Sequence, residues 1–531
     1  INVRRRPAAR IAAGAAPAAE LFQNHAKPKD TSSLPFNLTI SSVALRDVEV
    51  RVKTGSQEGK EGIFDPHNID FRHINAEASN LYVLGAAVRM RLFGVSLREA
   101  SGFEVRDLGC LMALDSTHMH FNDLEVTTPY SRLHLPWLHF DYHGWRAMSR
   151  FNDSVRMDIR VLPSRFNARE VGYFAPLPAE AAIPCDLSLR YRGKLSDFRV
   201  DTARIALPDG TRMVVNAGLV GLPNWRSTVL SVSIDSLQTT PTGIESLVSR
   251  FAGKPIPLRQ YLKGVASLHY RGEIVGFLDD FVAFGTLTSN IGKVGTDLSL
   301  AYNAQGHVRF KGRVATEGLD IGKLAGSSQL GTTSLDASID GSFDRKKGLD
   351  SKLSAKIRHL SLLGYSYHGI EAEGQLTSTS YSGTLHVADS ALRLAFNGMV
   401  DLSSRLPLFR FRAEVPHADL ARMHVVSDSV SVGSLNLQAA IQGSNLDNLD
   451  GDLELTGLSY RNARGTIRVD SVVLGAHNAE GGKLIMLQSK VLRGVLWGGS
   501  QYNRVPKSLN AMAQHLLPAV IDTGGRAFYR L

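Results

Sequence analysis

Several histidines between residues 118 and 143 have a spacing that metal sites use. His118 and His120 lie two residues apart, so both would point to the same side of a β-strand, and His134, His139 and His143 follow. Such a pair binds zinc or copper when a third ligand with a defined role lies beside it. No third ligand is apparent, and with 17 histidines such pairs are expected by chance. We therefore predict no metal site.

Carboxylates are grouped at two places. Asp279 and Asp280 are adjacent, and Asp336, Asp340 and Asp344 recur every four residues. Paired carboxylates act as acid and base where their surroundings separate the two pKa values. Nothing nearby in the sequence would raise one pKa against the other, so a solvated strand face explains these residues more simply.

Motifs for nucleotide binding and nucleophilic catalysis are missing. Gly318 to Lys323 superficially resembles a phosphate-binding loop, but its spacing is short and no Ser or Thr follows the lysine. The GxSxG and HExxH patterns do not occur. We predict a turn beside a sheet at this segment, and a protein that is not an enzyme and uses no cofactor.

Cys110 and Cys185 are the two cysteines of the chain. They form neither a disulfide framework nor a spacing suited to zinc. A single Cys110–Cys185 bridge in an oxidising compartment and two unpaired thiols both remain open.

Length and composition predict a large folded protein. With 531 residues the chain exceeds the roughly 250 to 300 residues at which single cores stop growing. The chain is 43% hydrophobic and carries a net charge of +10, but its basic residues are spread singly apart from Arg4, Arg5 and Arg6. Nucleic-acid binding needs a concentrated basic patch and is not expected. No stretch approaches the roughly 18 to 20 apolar residues that span a bilayer, and the start at Ile1 predicts a fragment of a longer protein.

Apolar and polar residues alternate along most of the chain, which predicts strands with one buried and one wet face. In the clearest case Leu335, Ile339 and Phe343 share one side, while the aspartates of the same segment lie opposite. Turn signals separate the strands at short intervals, which favours antiparallel hairpins over a parallel α/β sheet. The predicted turns include Pro208-Asp209-Gly210, Asn397-Gly398, Gly341, Gly369, Gly374 and Gly383.

Two segments have the pattern of amphipathic helices. Thr242 and Glu245 are predicted to form a capping box, with Gly253 as the C-terminal cap. The apolar stripe of this helix would consist of Ile244, Leu247, Val248 and Phe251. A second stripe after Pro506 contains Leu509, Met512, Leu516, Leu517 and Val520, and Pro518 would end or kink it.

Three motifs carry most of a family resemblance that covers nearly everything from Pro35 to Val520. They are GLVGLPNW at 218–225, GLDIGKLAG at 318–326 and GYSYHGI at 364–370. In these motifs and their order the chain resembles the TamB-like translocation and assembly module proteins of Bacteroidetes, a branch of the AsmA-like family. The resemblance implies a mainly β fold with an elongated, curled antiparallel sheet (a taco-like groove) and a few short amphipathic helices. The resemblance implies no catalytic residues in this chain.

The resemblance also implies a location and a function. The protein would lie in the periplasm of a Gram-negative envelope, attached to the inner membrane by an N-terminal anchor that this sequence does not include. Its groove would bind phospholipid acyl chains and carry lipid between the inner and outer membranes. The residues expected to line it are Leu335, Ile339, Phe343, Leu385, Val387, Leu392, Leu394, Phe396, Phe409, Phe411, Leu453, Leu455, Ile467 and Val469.

On this basis the chain divides into five segments. We expect a linker at 1–33, a first β-rich section at 34–240, a helix-containing connection at 241–263, a continuous groove section at 264–505 and an amphipathic helix at 506–531.

Other functions stay open at this point. The apolar residues could instead fill a closed sandwich or solenoid core. A scaffold that pairs its strand edges with an outer-membrane barrel protein is the main alternative function. An extracellular β-helix acting on polysaccharide is disfavoured, since the four tryptophans Trp137, Trp145, Trp225 and Trp497 are scattered.

Overall fold

The computed structural model describes most of the chain between residues 37 and 499. The described residues are 37–53, 62–65, 68–174, 183–224, 227–251, 255–303, 305–344, 346–445, 447–480, 482–490 and 492–499. They belong to two units, Ile1–Asn290 and Ile291–Leu531. The predicted linker at 1–33 and the predicted helix after Pro506 lie outside the described residues.

The described part of the first unit contains fourteen strands, many of them with alternating apolar residues. They are β1 (Asn37–Lys53), β2 (Asn68–Leu84), β3 (Ala87–Glu99), β4 (Glu104–Val105), β5 (Asp107–Leu114), β6 (His118–Thr127), β7 (Arg132–Asp141), β8 (Arg156–Asn167), β9 (Pro184–Lys194), β10 (Asp197–Ala206), β11 (Arg212–Val220), β12 (Val229–Thr239), β13 (Leu268–Gly276) and β14 (Asp280–Ser289).

The described part of the second unit continues with fifteen strands. They are β15 (Gly292–Tyr302), β16 (Val308–Glu317), β17 (Leu319–Asp320), β18 (Leu330–Asp344), β19 (Gly348–Leu362), β20 (Tyr365–Tyr367), β21 (Ile370–Thr377), β22 (Ser380–Ala388), β23 (Leu392–Asp401), β24 (Leu408–Asp419), β25 (Ser431–Gln442), β26 (Asp450–Asn462), β27 (Gly465–Ala479), β28 (Gly482–Ser489) and β29 (Arg493–Gly498).

The predicted fold class is confirmed: the chain is mainly β, and its described strands form one antiparallel sheet of 29 strands. Strands that follow each other in the chain lie side by side, as short hairpin connections require. The short strands β4, β17 and β20 add to the edges of β3, β18 and β19. No helix in the described ranges has the length and apolar character needed to cross a bilayer.

Helices are few and short in the part of the chain that the structure describes. They are α1 (Phe151–Ser154), α2 (Pro241–Phe251) and α3 (Ile321–Ala325), with 3-10 turns at Trp145–Arg150, Ala168–Tyr173 and Arg259–Tyr261.

The helix predicted near residue 242 is confirmed as α2, but its predicted capping box is wrong. Thr240 caps the helix, because its Oγ1 accepts a hydrogen bond from the N–H of Gly243 at 3.1 Å and Pro241 takes the first helical position. Glu245 instead accepts from the backbone N–H and the Nε of Arg259, at 2.8 and 2.9 Å. Gly253, the predicted C-terminal cap, lies outside the described residues.

The glycine signals were only partly turns. Pro208-Asp209-Gly210 forms the β10–β11 turn and Gly369 lies between β20 and β21, as predicted. Gly341, Gly374, Gly383 and Gly398 are instead inside strands. The turn prediction was wrong there because glycine in a strand also marks a close approach of neighbouring backbones.

Candidate functional site

The candidate site is one face of the sheet in the second unit, which we call the apolar face. Residues directly opposite each other on neighbouring strands share a face, so the pairing defines rows that run across the sheet. The middle row crosses twelve strands through Leu298, Gly312, Ile339, Leu353, Gly374, Gly383, Gly398, Phe411, Ala439, Leu453, Leu474 and Leu487.

Two flanking rows cross the same strands and are also largely apolar. One passes through Leu300, Phe310, Gly341, Ser351, Leu376, Tyr381, Val400, Phe409, Ile441, Gly451, Ala476 and Ile485. The other passes through Thr296, Val314, Ala337, Ala355, Ala372, Leu385, Phe396, Ala413, Leu437, Leu455, Val472 and Ser489.

Seven of the predicted lining residues fall in these three rows and lie on one face. They are Ile339, Phe411 and Leu453 in the middle row, and Phe409, Leu385, Phe396 and Leu455 in the flanking rows. Each of them is half-buried. A half-buried side chain is shielded by its neighbours yet keeps a surface that another molecule can contact.

A second group of predicted lining residues packs into a core cluster. Val387 is buried together with Ile370, Ala391 and Met423, and Leu385, Leu392 and Leu394 pack against this cluster. Leu335 joins the same end of the sheet through the row that links it to Ile357, Ile370, Val387 and Leu394. At this end the protein's own side chains cover the apolar face.

Three further predicted residues lie outside both the three rows and this end of the sheet. Phe343 is opposite Val308 and is 42% exposed. Val469 and Ile467 lie beyond the break that Gly457 makes with a φ of 62°, and Ile467 is 58% exposed. Phe343 and Ile467 are less shielded than the predicted residues in the rows, whereas Val469 is half-buried like them.

The opposite face of the same strands is charged and open to solvent. Asp340 pairs with Lys311 at 2.9 Å, and Lys356 pairs with Glu371 at 3.3 Å. The contrast in burial is clearest at two neighbouring alanines of β25: Ala439 on the apolar face is 2% exposed, whereas Ala440 on the charged face is exposed. Since the residue type is the same, the difference comes from shielding by the surrounding structure.

Glycines in the middle row are required by the closeness of adjacent strands. A Cβ at Gly374 would lie 2.3 Å from the carbonyl oxygen of Ser382, and one at Gly383 would lie 2.1 Å from that of Glu373. At Gly398, where φ is 146°, a Cβ would lie 2.4 Å from the carbonyl oxygen of Arg410. Glycine with such close backbone contacts is typical of tight bends in a sheet.

Aromatic rings surround these glycines. The hydroxyl of Tyr381 donates to the carbonyl oxygen of Thr384 at 2.6 Å, which places the ring beside Gly383, and burial raises the pKa of this hydroxyl. The rings of Phe396 and Phe411 lie 5.2 Å apart.

Neither these glycines nor Tyr381 were among the residues predicted to line this face. The available signal was the position of each glycine within an uninterrupted alternating segment, which a turn would break. Tyr381 had no such signal, because its role depends on Gly374 and Gly383 lying opposite each other.

Two of the clustered histidines, His120 and His139, use their ring nitrogens in hydrogen bonds to neighbouring strands. His120 and His139 stack at 4.1 Å, and their Nε2 atoms contact Asp141 at 3.0 Å and Asn122 at 2.9 Å. Burial, together with the neighbouring His120, lowers the pKa of His139. Within the described ranges no group of three histidines, cysteines or carboxylates could hold a metal ion.

The carboxylates and the Gly318–Lys323 segment that were considered as catalytic or phosphate-binding groups have structural roles. Asp336 pairs with Arg358 at 3.4 Å on the charged face, and the side chain of Asp320 caps α3 by accepting from the N–H of Lys323 at 3.0 Å. Cys110 and Cys185 are free thiols. Burial raises the pKa of Cys110 to about 11, which disfavours the reactive thiolate.

Comparison with known family models, curated proteins and solved structures finds no match to this chain.

Proposed function

We propose that the apolar face of the second unit binds phospholipid acyl chains and carries lipid between the two membranes of a Gram-negative envelope. The observation that supports this proposal is the continuity of three largely apolar rows over twelve strands, in which most of the larger side chains are half-buried instead of fully packed. Strands lie about 4.8 Å apart, so twelve strands offer a path of roughly 50 Å. An extended acyl chain fits within that length.

The energetic need for such a path is large. Exposing methylene groups to water costs about 0.8 kcal/mol each, so two chains of about 16 carbons would cost roughly 25 kcal/mol. Contact with half-buried residues such as Ile339, Phe411 and Leu453 would remove much of that cost at every step. Because neighbouring sites along the rows are alike, a lipid could move between them without a deep free-energy minimum.

Curvature toward the apolar face is part of the proposal. It is supported by the close strand approach at Gly374, Gly383 and Gly398, and by the difference in exposure between Ala439 and Ala440. A sheet that bends at a glycine row toward one face shields that face and opens the other. The proposed groove is therefore concave on the apolar side.

Lipid binding can be tested by expressing the protein in a Gram-negative host and quantifying co-purified phospholipid by mass spectrometry. Phe396→Asp and Phe411→Asp each place a charge on the apolar face, and we expect each to reduce bound lipid by at least about tenfold, the effect of 1.4 kcal/mol. Ala440→Asp introduces the same side chain on the charged face and should leave bound lipid unchanged.

Two results would count against the proposal. Equal lipid content in all three variants would show that the apolar face is not the binding surface. Lipid-free protein that captures an outer-membrane barrel protein would favour a scaffold that acts by strand pairing.

A further inference from the structure

The first unit has a recess on the charged face of its sheet, on strands β8 to β12. Its volume is about 730 Å³, and its lining includes Arg156, Arg192, Lys194, Arg199 and Gly218. Arg192 lies opposite Arg199, Arg199 opposite Gly218, and Gly218 opposite Ser231, so the floor of the recess is one row across four strands. Arginines from separate hairpins are thereby brought together.

Glycine keeps the floor of the recess open. A Cβ at Gly218 would have no neighbouring atom within 4 Å, unlike the close contacts at Gly374, Gly383 and Gly398. Close packing of the neighbouring strands therefore does not require a glycine at position 218. The missing side chain leaves open space above the strand. It is room that a ligand of modest size can occupy between Arg199 and Ser231.

The charges around the recess favour an anion. Four cations line it, whereas the acidic side chains in its lining are Asp153 and Asp197. Arg192 is paired with Asp201. Arg156, Lys194 and Arg199 make no ion pair, although all three are described.

Two of these arginines face each other directly. Like charges opposite each other on neighbouring strands are destabilising. Asp201 already neutralises Arg192 in part, whereas Arg199 makes no ion pair, so an added anion is favoured at Arg199. A guanidinium group presents parallel N–H donors that match the oxygens of a phosphate group.

One end of the recess is apolar. Val220 and Val229 lie opposite each other there and are 52% and 41% exposed. Exposed valines continue on the same face at Val275 and Val282, which lie beyond Ser231 in the floor row. A ligand with an apolar part next to its anionic group would contact both surfaces.

We propose that this recess binds a phosphate-bearing amphiphile, with the phosphate between Arg192 and Arg199 and the first methylene groups against Val220 and Val229. This site is separate from the apolar face of the second unit and does not depend on acyl-chain transport there. The phosphate could belong to a lipid headgroup or to a soluble phosphate ester, and the valine surface assigns it to the lipid.

The test is calorimetric titration of the full chain with dihexanoyl phosphatidylglycerol below its micelle concentration. Arg199→Ala removes one guanidinium group, and Gly218→Val fills the recess without a backbone clash. We expect each variant to weaken binding by roughly tenfold or more. Arg165→Ala, which removes an exposed charge at the other end of β8, should bind like the unsubstituted protein at this site.

Soluble probes identify the source of the phosphate. Glycerol phosphate should bind about tenfold more weakly than the phospholipid, because it lacks the methylene groups that contact the valines. Equal binding of glycerol phosphate and phospholipid would overturn the assignment to an amphiphile. Unchanged affinity in both Arg199→Ala and Gly218→Val, with thermal melting that shows a native fold, would overturn the site itself.

Discussion

Asp389 joins the β22–β23 connection to the segment around β20 at one end of the second unit's sheet. Its carboxylate accepts hydrogen bonds from the hydroxyl of Tyr365 at 2.6 Å, from the N–H of Ala391 at 2.8 Å and from the N–H of His368 at 3.1 Å. The residue is 5% exposed. Burial by itself raises the pKa of Asp389, but these hydrogen bonds outweigh it and the pKa is lowered below 3.8.

Replacing Asp389 should destabilise the second unit. Asp389→Asn replaces one carboxylate oxygen with an NH2 group that cannot accept, so either the N–H of His368 or the pair of donors on the other oxygen loses its acceptor. We expect a loss of about 1 to 3 kcal/mol in the free energy of unfolding, measured by urea denaturation. Asp336→Asn is the matched control. Its carboxylate pairs with Arg358 on the exposed charged face, so the expected loss is about 0 to 1 kcal/mol.

The same carboxylate predicts a pH dependence. Because the pKa of Asp389 is lower in the folded state, its contribution is fully present above the unfolded pKa near 3.8 and is lost as the pH falls through the folded value. The stability difference between the original protein and Asp389→Asn should therefore shrink below about pH 4. A difference that stays constant from pH 7 to pH 3 would contradict this account.

At the scale of elements, the strands could largely be predicted from the sequence and the glycines could not. Alternation placed Leu335, Ile339 and Phe343 on one side of β18, and the pairing confirms it. The alternation around Gly374 and Gly383 indicates that they lie within strands, but it does not indicate that they face each other. Their position opposite each other depends on the register between β21 and β22, which no single strand encodes.

Gly374, Gly383 and Gly398 lie next to one another in the middle row, so a single added methyl group there should lower the stability of the protein. Gly374→Ala brings a Cβ within 2.3 Å of the carbonyl oxygen of Ser382, so the strands must move apart at a cost of about 1 to 3 kcal/mol. Thermal unfolding should show a lower melting temperature. Gly494→Ala is the control, because a Cβ there meets no atom within 4 Å and should leave the stability unchanged or slightly raised. Equal melting temperatures for the two variants would show that the strands at Gly374 do not need their close approach.

At the scale of the whole molecule, strand pairing determines which distant residues share a surface. The arginines appeared dispersed in the sequence, yet pairing of β9 with β10 places Arg192 opposite Arg199. In the same way Ile339, Phe411 and Leu453 enter one row although they lie on separate hairpins. The type of surface could be predicted from alternation, but its extent depends on the register of every hairpin in between.

The central claim is that lipid contacts the apolar face and not the charged face, and site-specific photo-crosslinking tests it most directly. A photoreactive phenylalanine is placed at Leu353, Phe411 or Leu453, and in matched variants at the adjacent Lys352, Arg412 or Glu454. Irradiation in cells followed by mass spectrometry should find phospholipid adducts at the first three positions and none at the second three. Adducts at equal frequency on both faces, or no adducts at the apolar positions of folded protein, would contradict the account.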